Sequence, residues 1–398
     1  MSDTIVTGPI TKATLLLSAR LSEATGGPRP LSPSEYHQLA QWLDAREATI
    51  ADLLKADARV LLRTYVGMDR LLSLLSRTDE ANALLDQWAK LGIWVLGERE
   101  PSFPARLRQR LRNACLPLLF GAGQRETLNQ GGLCIVGSRD SPQEALIFAR
   151  KTGARAGGDG LVVISSDMRG IDREAISSAL DAGGRAICVL SDSLEKAVVS
   201  KRYREALAAG RVTLVTPFTP DTRFTVANAM RANRYQYGLS DAVIVVETRQ
   251  TGGIWSGADE NRKHGWVPAF VRSGINVSSG NNALLHLGLL PITQHDVEHS
   301  PNFAQFLIER ATSRPFAPTA AQPCDQPSPP ISAQTDLYAI FLDELDSIGH
   351  SIGYEVQAVA AHFHIEPVQA RAWLLRARQE GRIPAADDIA AIATTENH

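Results

Sequence analysis

Four stretches of this 398-residue chain place arginines, hydroxyls and glycines where an anion can be held. The first is Gly137-Ser138-Arg139, and the second is Ser165-Ser166 followed by Arg169-Gly170. The third contains Arg231, Asn233 and Arg234, and the fourth contains Gly252-Gly253 and Ser256. The first two each follow a short apolar run, Leu133–Val136 and Leu161–Ile164, and precede a helix-like segment. Backbone N–H groups at a helix N-terminus point outward with partial positive charge, so such a corner is suited to an anion. Arginine adds a fork of donors matched to phosphate. Neither corner reads GxGxxG, and no GK[ST] follows to make a Walker loop. In the third stretch the arginines precede Tyr235 and Tyr237. Guanidinium groups for phosphates beside ring faces for bases are what single-stranded nucleic acid needs; the competing reading packs the tyrosines on a sheet. Trp255 is likewise either a stacking platform or core. Ser141-Pro142, with Glu144 three residues after Ser141, reads as a capping box with proline in the first turn. Asp172 reads as the cap of the helix that follows it.

Composition narrows the partners. Lysine and arginine number 41 against 43 aspartate and glutamate, a formal net charge of -2, so any basic site has to be local. Hydrophobic content of 44% and charged content of 21% are those of an ordinary globular protein, long enough for two or three domains. Cys115, Cys134, Cys188 and Cys324 show no CxxC spacing, and two of them lie in apolar runs. That argues against a disulfide framework or a zinc site and fits a reducing cytoplasm. No signal-type segment or membrane-length apolar run is evident. The expectation is a cytoplasmic protein with no membrane contact, no metal and no cofactor.

The corners need elements to hold them. Six nearly unbroken apolar runs, Leu133–Val136, Leu161–Ile164, Ala186–Leu190, Val212–Val215, Ala242–Val246 and Val267–Val271, alternate with helix-like segments. Runs without in–out alternation suit strands buried on both faces. The expected fold is therefore α/β, a Rossmann-like open parallel sheet, with ligands beyond the carboxyl ends of its strands. Residues 1–110 read as an N-terminal helical (SAM-like) module, with a short strand at Leu91–Leu96. Residues 111–298 read as the Rossmann-like domain. Residues 299–334 read as a Pro-rich linker region, and 335–398 as a winged-helix or helix-turn-helix-like module. In the last, Tyr354–Phe363 and Val368–Glu380 are helices, and Arg371, Arg376 and Arg378 can meet phosphates.

Taken in order, these motifs resemble the DNA-processing protein A family, also called DprA or Smf. The resemblance runs through Ile135-Val136-Gly137-Ser138-Arg139, then Ile164-Ser165 to Gly170-Ile171-Asp172, then Asn233-Arg234 to Gly238-Leu239-Ser240. The stretch from Gly92-Ile93 through Phe103-Pro104 and Leu107 to Leu119-Phe120-Gly121 is similar to that family's lead-in to its Rossmann domain. The resemblance implies a Rossmann-like domain between helical and winged-helix modules. It also implies binding of single-stranded DNA, loading of a RecA-type recombinase, a homodimer, a role in natural transformation, and no enzymatic activity. The chain departs from the family's S-G-x-A-x-G-I-D at Ser166 and Met168. Its R-N-R appears as Ala232-Asn233-Arg234 with an arginine displaced to Arg231, and Ala229-Met230 stand where Phe-Pro is expected. Such departures suit a divergent branch, for which defence against foreign DNA is an alternative to transformation.

The site expected on this reading holds DNA phosphates through Gly137, Ser138, Arg139, Ser165, Ser166, Arg169, Gly170, Arg231, Asn233, Arg234, Gly252, Gly253 and Ser256. The rival is a nucleotide-binding enzyme or sensor resembling the LOG phosphoribohydrolases, whose loop reads PGGxGTxxE. Gly252-Gly253 and Ser256 match that loop loosely, but its catalytic glutamate falls on Ala258. An acid or base must lie within hydrogen-bond reach of the reacting atom, which counts against hydrolysis.

Overall fold

The computed structural model describes residues 7–21, 27–313, 342, 345, 354–363, 367–379 and 383. Its strands are β1 (Ile93–Gly97), β2 (Leu118–Ala122), β3 (Leu133–Gly137), β4 (Val162–Ser165), β5 (Arg185–Val189), β6 (Val212–Thr216), β7 (Ala242–Glu247), β8 (Ala269–Arg272) and β9 (Leu290–Ile292). They form one sheet in the order β1-β2-β6-β5-β4-β3-β7-β8-β9. β1 and β2 pair antiparallel, and β2 joins β6 antiparallel. From β6 to β9 every pairing is parallel. The chain steps outward from β3 through β4 and β5 to β6, then returns to place β7 on the other side of β3. That reversal is the switch point where an open α/β sheet leaves a crevice at its carboxyl edge.

Helices cover both faces, as parallel strands require. The first are α1 (Pro9–Ser18), α2 (Pro33–Asp44), α3 (Ala58–Leu61), α4 (Met68–Leu75) and α5 (Thr78–Lys90). They bury Leu17, Tyr36, Leu39, Leu43, Leu62 and Leu74 among themselves. α1 also docks on the sheet: the Gly97 N–H donates to Thr11 Oγ1 at 2.9 Å. Next come α6 (Ala105–Leu111), α7 (Gln143–Gly158), α8 (Ile171–Asp181), α9 (Leu194–Val199) and α10 (Lys201–Ala208). After them run α11 (Val226–Leu239), α12 (Gly252–His264), α13 (Ser279–His286), α14 (Gln294–His299) and α15 (Phe303–Ser313). Phe148 of α7, Ile171 of α8 and Tyr203 of α10 pack with Ile135 and Val163 on one face. Leu107 of α6, Tyr235 and Tyr237 of α11 and Ala258 of α12 pack with Cys134 and Ile164 on the other.

The short strand expected at Leu91–Leu96 is β1, which joins the sheet with each of its five residues buried. Two local expectations change. α15 occupies the head of the 299–334 stretch, since Phe303 and Leu307 bury themselves in the core. α7 starts at Gln143 with Pro142 as its N-cap, and the Ser141 hydroxyl donates to the Ser138 carbonyl (2.8 Å) instead of capping the helix. Within 335–398 the structure has helices Val356–Phe363 and Pro367–Gln379. Leu342, Leu345, Val359, Ala370 and Leu374 form one buried cluster there. The rest of the 299–334 linker, from residue 314 on, Cys324 and residues 384–398 of the last module lie outside the described residues. No helix among those described is long and apolar enough to cross a membrane. No cluster of three or more metal-ligating side chains occurs among them either.

Candidate functional site

The first two corners are locked to each other. The β3–β7 register shifts between Val136 and Gly137, whose partner is Glu247, and the Ser138 N–H reaches the Glu247 carbonyl at 2.9 Å. Gly170, at φ 88° and ψ -134°, sits where a Cβ would lie 2.4 Å from the Arg139 carbonyl oxygen. Glycine is needed there for both conformation and space. Asp172 then tucks under the first corner. It accepts from the Gly137 N–H (3.1 Å) and from the Ser166 hydroxyl. It therefore ties two loops together and does not cap its own helix as expected. Burial pushes its carboxyl up to about 6, against the pull of these hydrogen bonds.

Beside these corners, at the β3–β7 switch, lies a cavity of about 620 Å³. Gly137, Ser138, Arg139, Ser166 and Arg169 line it, as do Asn233 of α11 and Gly252 and Gly253 of α12. Eight of the thirteen residues expected at the site thus converge. A second hollow, of about 460 Å³, adjoins it and includes Gly170. Arg139, Asp140, Arg169 and Arg173 border both. The Arg139 guanidinium lies over the Phe224 ring, 5.2 Å from its centroid. Arg169 pairs with Asp140 at 2.5 Å, both side chains more than half exposed, so the pair contributes little to stability.

The other expected residues stand elsewhere. Ser165 is fully buried, its hydroxyl donating to the Ile135 carbonyl at 2.7 Å, which stitches β4 to β3. Arg231 is exposed on another face of α11, and Arg234 pairs with Glu260 at 2.9 Å. Ser256 lies one turn into α12 and does not line the cavity. The tyrosines expected to stack bases are core: Tyr235 and Tyr237 are 1% and 2% exposed. The Tyr235 hydroxyl accepts from the Leu116 N–H at 2.6 Å. Trp255 packs partly buried against the same core. Sequence-based expectation went astray here because a helix of 3.6 residues per turn presents Ala229, Met230 and Asn233 to the cavity and turns Arg231 away. That spacing was itself the available signal.

Several lining residues were not anticipated. After β5 the chain contributes Ser191 and Asp192, α10 contributes Arg202 and Tyr203, and the β7 loop contributes Arg249. Asp167, at φ 57°, is buried and held by Arg202 and the Tyr203 hydroxyl. Burial raises its carboxyl above the ordinary range. No glycine or turn motif marks the α10 residues, so only the folded sheet brings them in. On α12, Ala258 is fully buried, Asp259 pairs with Arg262 and Lys263, and Glu260 pairs with Arg234. The carboxylates nearest the hydrolase glutamate position are thus engaged in ion pairs.

The family model described as DNA recombination-mediator protein A matches residues 94–297. Protein Smf of Synechocystis is 26% identical over 239 residues, covering 53% of this chain. Protein Smf of Escherichia coli is 32% identical over 139 residues, covering 34% of this chain. The match spans 60% of the length of the first relative and 37% of the second. Among solved structures, DNA processing protein A from Streptococcus pneumoniae superposes with a TM-score of 0.50 at 19% identity. That superposition covers 70% of this chain and 98% of that one, and it speaks to the fold.

Proposed function

The chain belongs to the DNA recombination-mediator protein A family, and from that premise we propose that it binds single-stranded DNA along the carboxyl edge of its sheet. The observation that carries this reading is the group Arg139, Arg169 and Arg173, which borders both hollows. A mononucleotide needs one hollow, whereas a strand can run from one to the other across the arginines. Phosphates meet guanidinium forks and the α12 N-terminus, and the Phe224 ring beside Arg139 supports a base. With a net charge of -2 the attraction is local, so binding depends on these few contacts.

Binding without bond cleavage is part of the proposal. The ion-paired Asp259 and Glu260 support it, and incubation with nucleoside monophosphates is expected to release no free base. Loading of a RecA-type recombinase and assembly as a homodimer follow from the family premise, as does handling of incoming or foreign DNA. The site is tested by fluorescence anisotropy of a labelled oligonucleotide over a range of salt. Affinity is expected to fall steeply with salt, and Arg139→Ala is expected to weaken binding and lower the slope by about 1. Equal binding by wild type and Arg139→Ala, or no salt dependence, overturns the reading.

A further inference from the structure

We propose that Gln236 reads the edge of one nucleobase in the 620 Å³ cavity by accepting a hydrogen bond from an exocyclic amino group. The inference rests on the DNA-binding reading above and deepens it. Gln236 lines the cavity yet is only 1% exposed. Its amide orientation is set by a chain of bonds that starts at the backbone. The Gly253 carbonyl can only accept, so Asn233 must present Nδ2 to it, at 3.2 Å. That turns Asn233 Oδ1 toward Gln236, which must answer with Nε2, again at 3.2 Å. Gln236 Oε1 is what remains, a buried acceptor with no partner among the described residues. A buried acceptor left unpaired is costly, so a ligand that brings a donor to it is favoured by the recovered bond.

The same cavity presents the N-terminus of α12, a 13-residue helix with no acidic residue in its first turn. Gly252 and Gly253 open that helix and line the cavity. The cavity thus combines partial positive charge with a lining residue whose buried acceptor has no partner among the described residues. A nucleotide carrying an amino-bearing base supplies both partners, phosphate for the helix and N–H for Gln236. Cytosine and adenine present their amino group at the outer edge of the ring. The ring N–H of uracil or thymine lies between two carbonyl oxygens, which the same acceptor repels.

Oligo-dC and oligo-dU strands of equal length test this, because the amino group of one is a carbonyl in the other. Measured by anisotropy at one salt concentration, wild type is expected to bind dC about fivefold more tightly than dU. In Gln236→Met, whose folding is checked by its melting transition, the ratio is expected to fall to about one. A wild-type ratio of one, or a ratio that survives in Gln236→Met, overturns the base-reading role while leaving DNA binding standing. If wild type binds neither strand, the DNA-binding reading itself falls and this inference falls with it.

Discussion

Asp172→Asn should stabilise the fold at neutral pH and leave it nearly unchanged in acid. The native carboxyl titrates at about 6 against an ordinary 3.8, burial being the largest cause. Between those values the native state holds a proton that the unfolded chain has released, so stability falls as pH rises from about 4 to about 6. A gap of about 2 units at 1.36 kcal/mol each gives a loss of about 3 kcal/mol, complete near pH 7. Asparagine never ionises, so the variant escapes this loss. It also keeps the local geometry. Its Oδ1 still accepts from the Gly137 N–H, and its Nδ2 faces the Ser166 hydroxyl, which can turn to accept. For a core that runs from Leu15 to Leu307, roughly 300 residues at about 2.1 cal/mol/K each, about 3 kcal/mol corresponds to a melting temperature higher by roughly 5 °C at pH 7.5. Scanning calorimetry at pH 7.5 and pH 4.0 reads the difference directly. An equal shift at both pH values, or a lower melting temperature at pH 7.5, refutes the assignment of a raised carboxyl at this position.

Other substitutions separate framework from binding. Tyr235→Phe should cost about 1–3 kcal/mol by stranding the Leu116 N–H, without changing oligonucleotide affinity; a large affinity loss would return the ring to the interface. Phe224→Ala should weaken oligonucleotide binding by about 1–3 kcal/mol in anisotropy while the melting temperature holds, and unchanged affinity would remove Phe224 from the site. Gly170→Ala should destabilise by about 2 kcal/mol or more in urea titration, because alanine meets both the unfavourable φ and the Arg139 carbonyl.

The sheet was legible because its physics is coarse. Strands covered on both faces must be apolar throughout, and the six runs from Leu133 to Val271 correspond to β3–β8 within about two residues. β9 escaped because it has three residues and contains Pro291. At the site, glycine corners were legible because backbone conformation dictates the residue type, as at Gly170. Side-chain direction was less so. Ser165 and Tyr235 carry polar groups that suit a ligand or a buried backbone partner equally well, and the fold gives them the latter. Arg202 and Tyr203 needed the tertiary path from β5, which no local spacing encodes.

The fit of Gly170 against the Ser138 and Arg139 carbonyls constrains how this protein can diversify. Two loops in van der Waals register cannot lengthen or shorten independently, since an insertion in either would lift the other from its seat. Variation in ligand preference is therefore channelled into side chains on a path of fixed length, as at Ser166 and Met168. The connection from β6 to α11, residues 217–225, carries Phe224 and belongs to neither element, and it is where changes in length can be absorbed. A comparison of loop lengths across relatives should find the first two corners nearly invariant and the connection before α11 the most variable.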